Sequence, residues 1–322
     1  MIFKRIFCTL AFCQCLMVAA SAQKVVLKET ASGMDFVIDN QPVLTYQTAI
    51  ADVPDGIKKD FAKSGFIHPL KSPSGQVLTR IQPKDHYHHY GIWGPWTRAT
   101  INGREVDFWN LGDGKGRVDF SHVLSTKEAG GAAELNVRQN HLDLKAPKEE
   151  QVAIKEDLRI KVKSADKGRY MVDYTTTIET DINGGILLDD YRYGGGIGFR
   201  ATELWGADNS TILTSEGKNR AAADGSTAKW ILVKGETADA SGQSGILFLS
   251  HNTNKSHPEP LRVWPENQYD GVGNVFIEFC PIRHESWELK PNERYTLKYR
   301  MIVFDGAMST EEANDYWKAF VK

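Results

Sequence analysis

The chain has 322 residues, 41% of them hydrophobic and 25% charged, which is the balance of an ordinary globular protein and excludes a disordered tail, a collagen or a membrane bundle. Its 39 Lys+Arg against 41 Asp+Glu leave a formal charge of -2. Without a basic surplus, sequence-independent binding to nucleic acid has no electrostatic footing.

Residues 1–22 read as a secretory signal peptide. Lys4 and Arg5 supply the charged start, Ile6 to Ala20 the apolar run, and Ala20-Ser21-Ala22 the small-residue cleavage pattern. The run is shorter than the ~20 residues that a spanning helix needs, and no later stretch is longer, so no membrane span is expected. Phe12 before Cys13 and Gln14 before Cys15 do not fit a lipidated cysteine. The expected mature protein, periplasmic or secreted, starts near Gln23 and keeps only Cys280 of the four cysteines, too few for an intrachain disulfide. Cys280, between Phe279 and Pro281, reads as a small buried hydrophobe.

The next feature is Asp85-His86-Tyr87-His88-His89-Tyr90-Gly91, which holds three of the nine histidines. If the segment is extended, His86 and His88 point to one face and His89 to the other, the spacing at which a strand offers two imidazoles to one substrate or metal. A metal would need further ligands from His141, His251, His284, Asp85 or Glu278. The glutamate that a cupin-type iron site places shortly after its second histidine is missing from Gly91 to Trp96. No cofactor is therefore required, with a divalent metal on His86 and His88 as the alternative.

Ile92-Trp93-Gly94-Pro95-Trp96 and Asp107-Phe108-Trp109-Asn110 put three of the eight tryptophans within twenty residues of these histidines. Indole faces stack on the C–H faces of sugars while Asn, Asp and Arg reach hydroxyls. Trp96, beside a Gly-Pro turn and Arg98, is expected in a cleft.

Beyond this the pattern has period two. Val152, Ile154, Leu158, Ile160 and Val162 alternate, as do Tyr170 to Ile178 and Tyr295 to Val303. Turn pairs such as Asn102-Gly103 and Gly130-Gly131 separate roughly fifteen to eighteen strands. The expected fold is all-β, one large antiparallel β-sandwich over residues 23–322, with no hinge or repeat to divide it. One helix is predicted at the C-terminus, where Ser309 and Glu312 form a capping box ahead of Ala313, Tyr316, Trp317 and Phe320.

Gly196-Ile-Gly-Phe-Arg-Ala201 matches a dinucleotide fingerprint in letters, with Glu216 twenty residues on, but no helical periodicity follows it, so nucleotide binding is not expected. Arg192 and Arg200 flank these glycines as hydrogen-bonding forks. His251, at the end of an apolar strand, reads as an acid or base. His257 reads as exposed, and Arg262, Glu278 and His284 add polar groups suited to the same pocket.

Together the histidine turn with its following G-x-W, the Asp107-Phe108-Trp109 segment, the Arg192–Arg200 stretch, and the block G-I-L-F-L-S-H-N-T-N with P-x-x-L-R-V-W resemble the PmoA-like family of exported proteins common in polysaccharide-degrading Bacteroidetes. The methane-oxygenase label of that family implies a membrane copper enzyme, which a chain without a span does not fit. The chain also resembles galactose-mutarotase-like supersandwiches. That resemblance implies sugar binding on a concave sheet, His86 or His88 paired with His251 for proton transfer, Glu278 as an acidic base and Arg200 as a substrate anchor.

The sequence thus points to a periplasmic carbohydrate-active enzyme, a hydrolase, lyase or epimerase, with His86, His88, His251 and Glu278 catalytic. His89, Trp96, Trp109, Arg192, Arg200, Arg262 and His284 would bind substrate. The alternatives are a non-catalytic glycan-binding protein and a metal-dependent oxygenase or lyase.

Overall fold

The computed structural model describes residues 24–268 and 271–322; the expected signal peptide lies outside them. Within the described residues, twenty-one strands pair antiparallel into three sheets. An eight-stranded sheet runs in the order Ser210–Thr214, Trp230–Glu236, Gln243–Ser250, Tyr295–Asp305, Tyr170–Glu179, Val152–Ser164, Ala132–Asp143, Gly116–Ala129. A nine-stranded sheet faces it and includes Phe66–Leu70, Ile92–Trp93, Ile197–Arg200, Phe276–Phe279 and Glu259–Val263 as consecutive neighbours. A four-stranded sheet, Trp287–Leu289 to Arg104–Val106, stands beside them. This is the sandwich expected, with more strands.

The alternating rows of the sequence become the inner faces. Tyr170, Val172, Tyr174, Thr176 and Ile178 are buried, and their cross-strand partners Leu297, Tyr299, Met301 and Val303 are buried with them. Each apolar side chain so buried is worth about 1.5–3 kcal/mol of transfer free energy. Val152 departs from the pattern: a bulge between Val152 and Ile154 turns it outward while Ile154 to Val162 stay inside. One polar residue, Glu156, occupies that inward row. Its carboxylate is met by His141 Nε2 and by the Thr176 hydroxyl, each at 2.7 Å, as burial of such a group requires.

Hairpins close where both turn residues tolerate positive φ: Asn102-Gly103 (49° and 76°), Gly130-Gly131 (60° and 76°), and Asp39-Asn40 (49° and 65°), a pair the sequence reading passed over.

The C-terminal helix Thr310–Phe320 forms as expected. Glu312 N–H donates to Ser309 Oγ at 3.1 Å, and Ser309 N–H donates back to the Glu312 carboxylate at 3.0 Å. Ala313, Tyr316, Trp317 and Phe320 pack with Trp230, Leu232, Leu247 and Leu249 on the outer side of the eight-stranded sheet. A one-turn helix at Arg220–Ala223 was not expected.

The nine-stranded sheet is also covered on both sides. Ile92, Ile197, Phe199, Ile277, Phe279, Leu261 and Val263 point into the main core. Trp93, Trp264 and Phe276 point the other way, into a separate aromatic cluster with Tyr90, Trp109 and Leu111. The loops over this second face carry the functional candidates.

Candidate functional site

The histidine segment is not extended. His86 N–H donates to Pro83 C=O at 2.9 Å and His89 N–H to His86 C=O at 3.0 Å, folding two tight turns closed by the Ile81–Tyr90 bridge. Turning the chain brings all three imidazoles together where a strand would have split them. Ring centroids lie 5.2 Å apart for His86–His88, 4.6 Å for His86–His89 and 4.9 Å for His88–His89.

An aromatic floor holds them. The His89 ring lies 4.9 Å from Phe276, 5.4 Å from Trp93 and Trp264, and 5.5 Å from Trp109. Trp109 is set in place by Asp107, whose carboxylate accepts from Trp109 N–H, Asn110 N–H, the Asn110 amide and the Thr97 hydroxyl at 2.6–2.8 Å. This is the physical content of the D-F-W-N motif: a short acidic side chain capping the two backbone donors that follow it. Trp264 is fixed similarly, its indole N–H donating to Tyr193 Oη at 3.2 Å, which also accepts from Arg262 Nη2 at 2.9 Å.

Polar groups stand at the edge of this floor. Asp85 Oδ2 lies 3.2 Å from His86 Nδ1 and accepts from Arg200 Nη2 at 2.7 Å. The Arg200 guanidinium lies over the Trp264 ring at 4.7 Å. Burial lowers Arg200 to about 10, although Asp85 opposes the shift. For Asp85 burial acts upward, but the His86 hydrogen bond and the Arg200 charge outweigh it and hold the carboxyl well below the usual range. Burial, helped by the His86 charge, lowers His88 to about 3, and burial also holds His89 well below the usual imidazole range. Both rings are neutral electron-pair donors at neutral pH. His89 is 0% exposed and neither ring nitrogen has a hydrogen-bond partner among the described residues.

The other expected site residues are distributed differently. Glu278 shares the sheet face of Phe276, but it is fully buried; Oε1 accepts from Gly194 N–H at 2.7 Å, Oε2 has no partner, and burial pushes its pKa well up. It is a sealed carboxyl rather than a base open to substrate. Arg262 pairs with Asp224 at 2.9 Å and acts on the site through Tyr193. Arg192 is exposed over the Tyr193 ring at 5.3 Å.

Three expectations are corrected. His251 does not join the cluster: it sits beyond the eight-stranded sheet, its ring edge-on to Phe320 at 5.1 Å and its Nδ1 2.8 Å from Thr253 Oγ1, with the whole core between it and His88. Trp96 is not in a cleft; at 1% exposure it belongs to the main core, because the Gly94-Pro95 turn points it inward against Gly195. His284 is exposed on the loop after Pro281, apart from the buried aromatic floor that holds His89. His257, read as exposed, stacks on Trp317 at 6.0 Å. Cys280 is buried and free, as expected. Tyr193, Trp264 and Phe276 were missed; the R-x-W spacing of Arg262 and Trp264, which puts both on one strand face, was the available signal.

A cavity of about 760 Å³ lies behind the same loop, lined by His68, Thr79, Arg80, Lys84, Tyr87 and Glu203. Its lining does not include His86, His88 or His89.

Residues 33–318 match the model of DUF6807, described as a family of unknown function. The chain belongs to the DUF6807 family. Membership in a PmoA-like family finds no support beside this match; the motifs that carried that resemblance are only a few residues long each. No protein of curated function matches the DUF6807 chain. Among solved structures it is similar to a GalM/aldose epimerase homologue from C. elegans, at 8% identity and a TM-score of 0.35 over 89% of this chain and 100% of that one. It is also similar to the GH36 α-galactosidase AgaA from Geobacillus stearothermophilus, at 13% identity and 0.39, covering 90% of this chain and 40% of that one. A third is the heparan sulfate lyase HepC from Pedobacter heparinus, at 7% and 0.37, covering 85% and 34%. Among the described residues of the DUF6807 chain, no helix is long and apolar enough to cross a membrane.

Proposed function

We propose that this DUF6807 chain is an exported, single-domain carbohydrate-active enzyme whose reactive centre is the cluster of His86, His88 and His89 with Asp85 and Arg200. The observation that carries the reading is the convergence of three imidazoles with Asp85 and the buried guanidinium of Arg200 on one edge of a sheet. Groups that bind hydroxyls and groups that accept protons are then within reach of a single sugar. Export rests on the leader pattern of residues 1–22.

The state of the carboxylates favours proton transfer at a sugar C–H, as in epimerisation or elimination, over hydrolysis by a carboxylate pair. Asp85 is bound to Arg200, Asp107 is spent on four hydrogen bonds, and Glu278 is sealed. None of these three is therefore a free carboxylate of the kind that hydrolysis places on either side of a glycosidic bond. The burial of Trp96, Trp109 and Trp264 counts against a purely adhesive glycan-binding platform, which needs exposed indole faces.

The test is deuterium uptake and product formation by NMR, with the full chain in D₂O and a panel of neutral and uronic-acid oligosaccharides. Wild type is expected to exchange or convert at least one substrate, and His88→Gln and His86→Gln to lose about 10²–10⁴-fold in rate with unchanged circular dichroism. Undiminished rates in both variants would overturn the assignment.

A further inference from the structure

The cluster holds more order than proton transfer alone requires. His86, His88 and His89 each offer a ligand atom, and these atoms lie within 4.8 Å of one another. All three come from one four-residue segment that the His89–His86 backbone bond already folds, so gathering them costs little further ordering. His89 lies wholly inside the aromatic floor, with no hydrogen-bond partner on either ring nitrogen. A buried imidazole that finds neither donor nor acceptor in the protein is poised for a partner the protein does not supply.

The surroundings match those of ligating imidazoles. Asp85 stands 3.2 Å from His86 Nδ1, the carboxylate–histidine arrangement that orients a ligand and raises its basicity. The same carboxylate neutralises Arg200, so the guanidinium does not oppose a cation with its full charge. Trp93, Trp109, Trp264 and Phe276 close the deep side, and His86 and His88 remain partly open on the other. Three nitrogen ligands with one accessible side are the donor set of an open tetrahedral site.

We propose that His86, His88 and His89 form a binding site for a divalent transition metal of the zinc class, with its fourth position left for water or a substrate oxygen. Imidazole donors do not suit magnesium or calcium, which take oxygen ligands. Bringing the nitrogens to the 2.0–2.1 Å bonds of zinc requires them to close to roughly 3.4 Å from one another, a movement within side-chain rotation. Arg200 Nη1, also buried without a partner, supplies a donor for an anionic oxygen held there.

The proposal shares its residues with the function above but does not depend on the sugar chemistry. Its test uses the tag-free full chain, stripped with chelator and dialysed against zinc, with magnesium as the control and cobalt as the spectroscopic probe. One zinc per chain is expected, with the intense visible absorption of tetrahedral cobalt and no magnesium uptake. Binding should weaken at least about 100-fold in His86→Gln and in His88→Gln. These partly exposed positions are chosen over His89, whose replacement would disturb the floor; the circular dichroism and thermal midpoint of the metal-free variants confirm their fold. A wild-type chain that takes up no zinc, or zinc binding equal in both variants and wild type, overturns the site. Zinc binding with no sugar turnover would remove the proposed function and leave the site. Sugar turnover by a wild-type chain that takes up no zinc would remove the site and leave the function.

Discussion

Arg200 reaches across 115 residues of sequence to donate to Asp85 at 2.7 Å, and this bond ties the strand Ile197–Arg200 to the turn that carries the histidines. Arg200 is almost fully enclosed, so its charge depends on that one carboxylate. Asp85→Asn should destabilise the protein by roughly 3 kcal/mol, because it leaves a buried cation without its counter-charge. Arg200→Met removes the cation, so the double variant should be clearly more stable than the sum of the single losses implies. Urea unfolding of the four proteins checks this. Strict additivity would mean that the pair is not the element holding the turn.

Trp96 and Gly195 are the counterpart of that pair in the core. Gly195 has φ +72°, and a Cβ built there would lie 2.0 Å from Trp96 Cζ3, so no larger residue fits while the indole is present. Gly195→Ala should cost several kcal/mol, about 3 or more, from strain and overlap together. Trp96→Phe should cost about 1–2 kcal/mol by itself and recover part of the Gly195→Ala loss, since it frees the volume the methyl needs. Sugar turnover by Trp96→Phe is expected to equal wild type, a result that would be inconsistent with an indole in a substrate cleft.

His251 gives the cleanest separation of site from scaffold. Its contacts are local, to Thr253 and the edge of Phe320, on the side of the molecule where the C-terminal helix packs. His251→Ala should lower stability by no more than about 1 kcal/mol and leave rate and zinc affinity unchanged. A large loss of rate at full fold would return this residue to the chemistry.

What was readable in the sequence follows from the period of burial. Tyr170 to Ile178 alternate because that strand has one core face, and their inward row was legible as it stands. Trp230–Glu236 and Gln243–Ser250 are buried on both faces once the helix covers them, so no alternation marks which residues meet which layer. His251 was misplaced for the same reason: a strand end names no side of the sandwich. The three histidines were found but not their geometry, because the spacing of an extended strand and of two consecutive tight turns is written with the same letters. Pro83, which accepts the first of those turns, was the one local sign. Glu278 looked available because its neighbours Ile277 and Phe279 alternate with it; that its face is roofed by the 191–196 segment is a tertiary fact.

A last pair of residues makes stability depend on pH in a way that can be isolated. Glu259 is fully buried with no cation beside it; its carboxyl accepts from Ser250, from Asn254 Nδ2 at 3.0 Å and from Tyr299 Oη at 2.8 Å. Burial raises its pKa from 4.5 to about 7 despite these hydrogen bonds. Between those values the folded state holds a proton that the unfolded chain has released, so stability falls as pH rises through the window, by roughly 3 kcal/mol in all. His68 works in the opposite sense. Burial lowers it from 6.5 to about 4, the unfolded chain binds the proton more tightly there, and stability rises with pH across that range. His88 and His89, which burial also lowers, add to that rise, so the wild-type profile is the sum of opposing effects in which Glu259 supplies the fall. Glu259→Gln keeps the shape and lets the amide donate to Tyr299, but it cannot titrate. Its thermal midpoint should therefore climb more steeply from pH 4.5 to 6.5 than that of wild type, gaining about 5 °C on it by pH 7.5. Parallel midpoint curves for the two proteins would show that Glu259 is ionised throughout and that its three donors outweigh its burial.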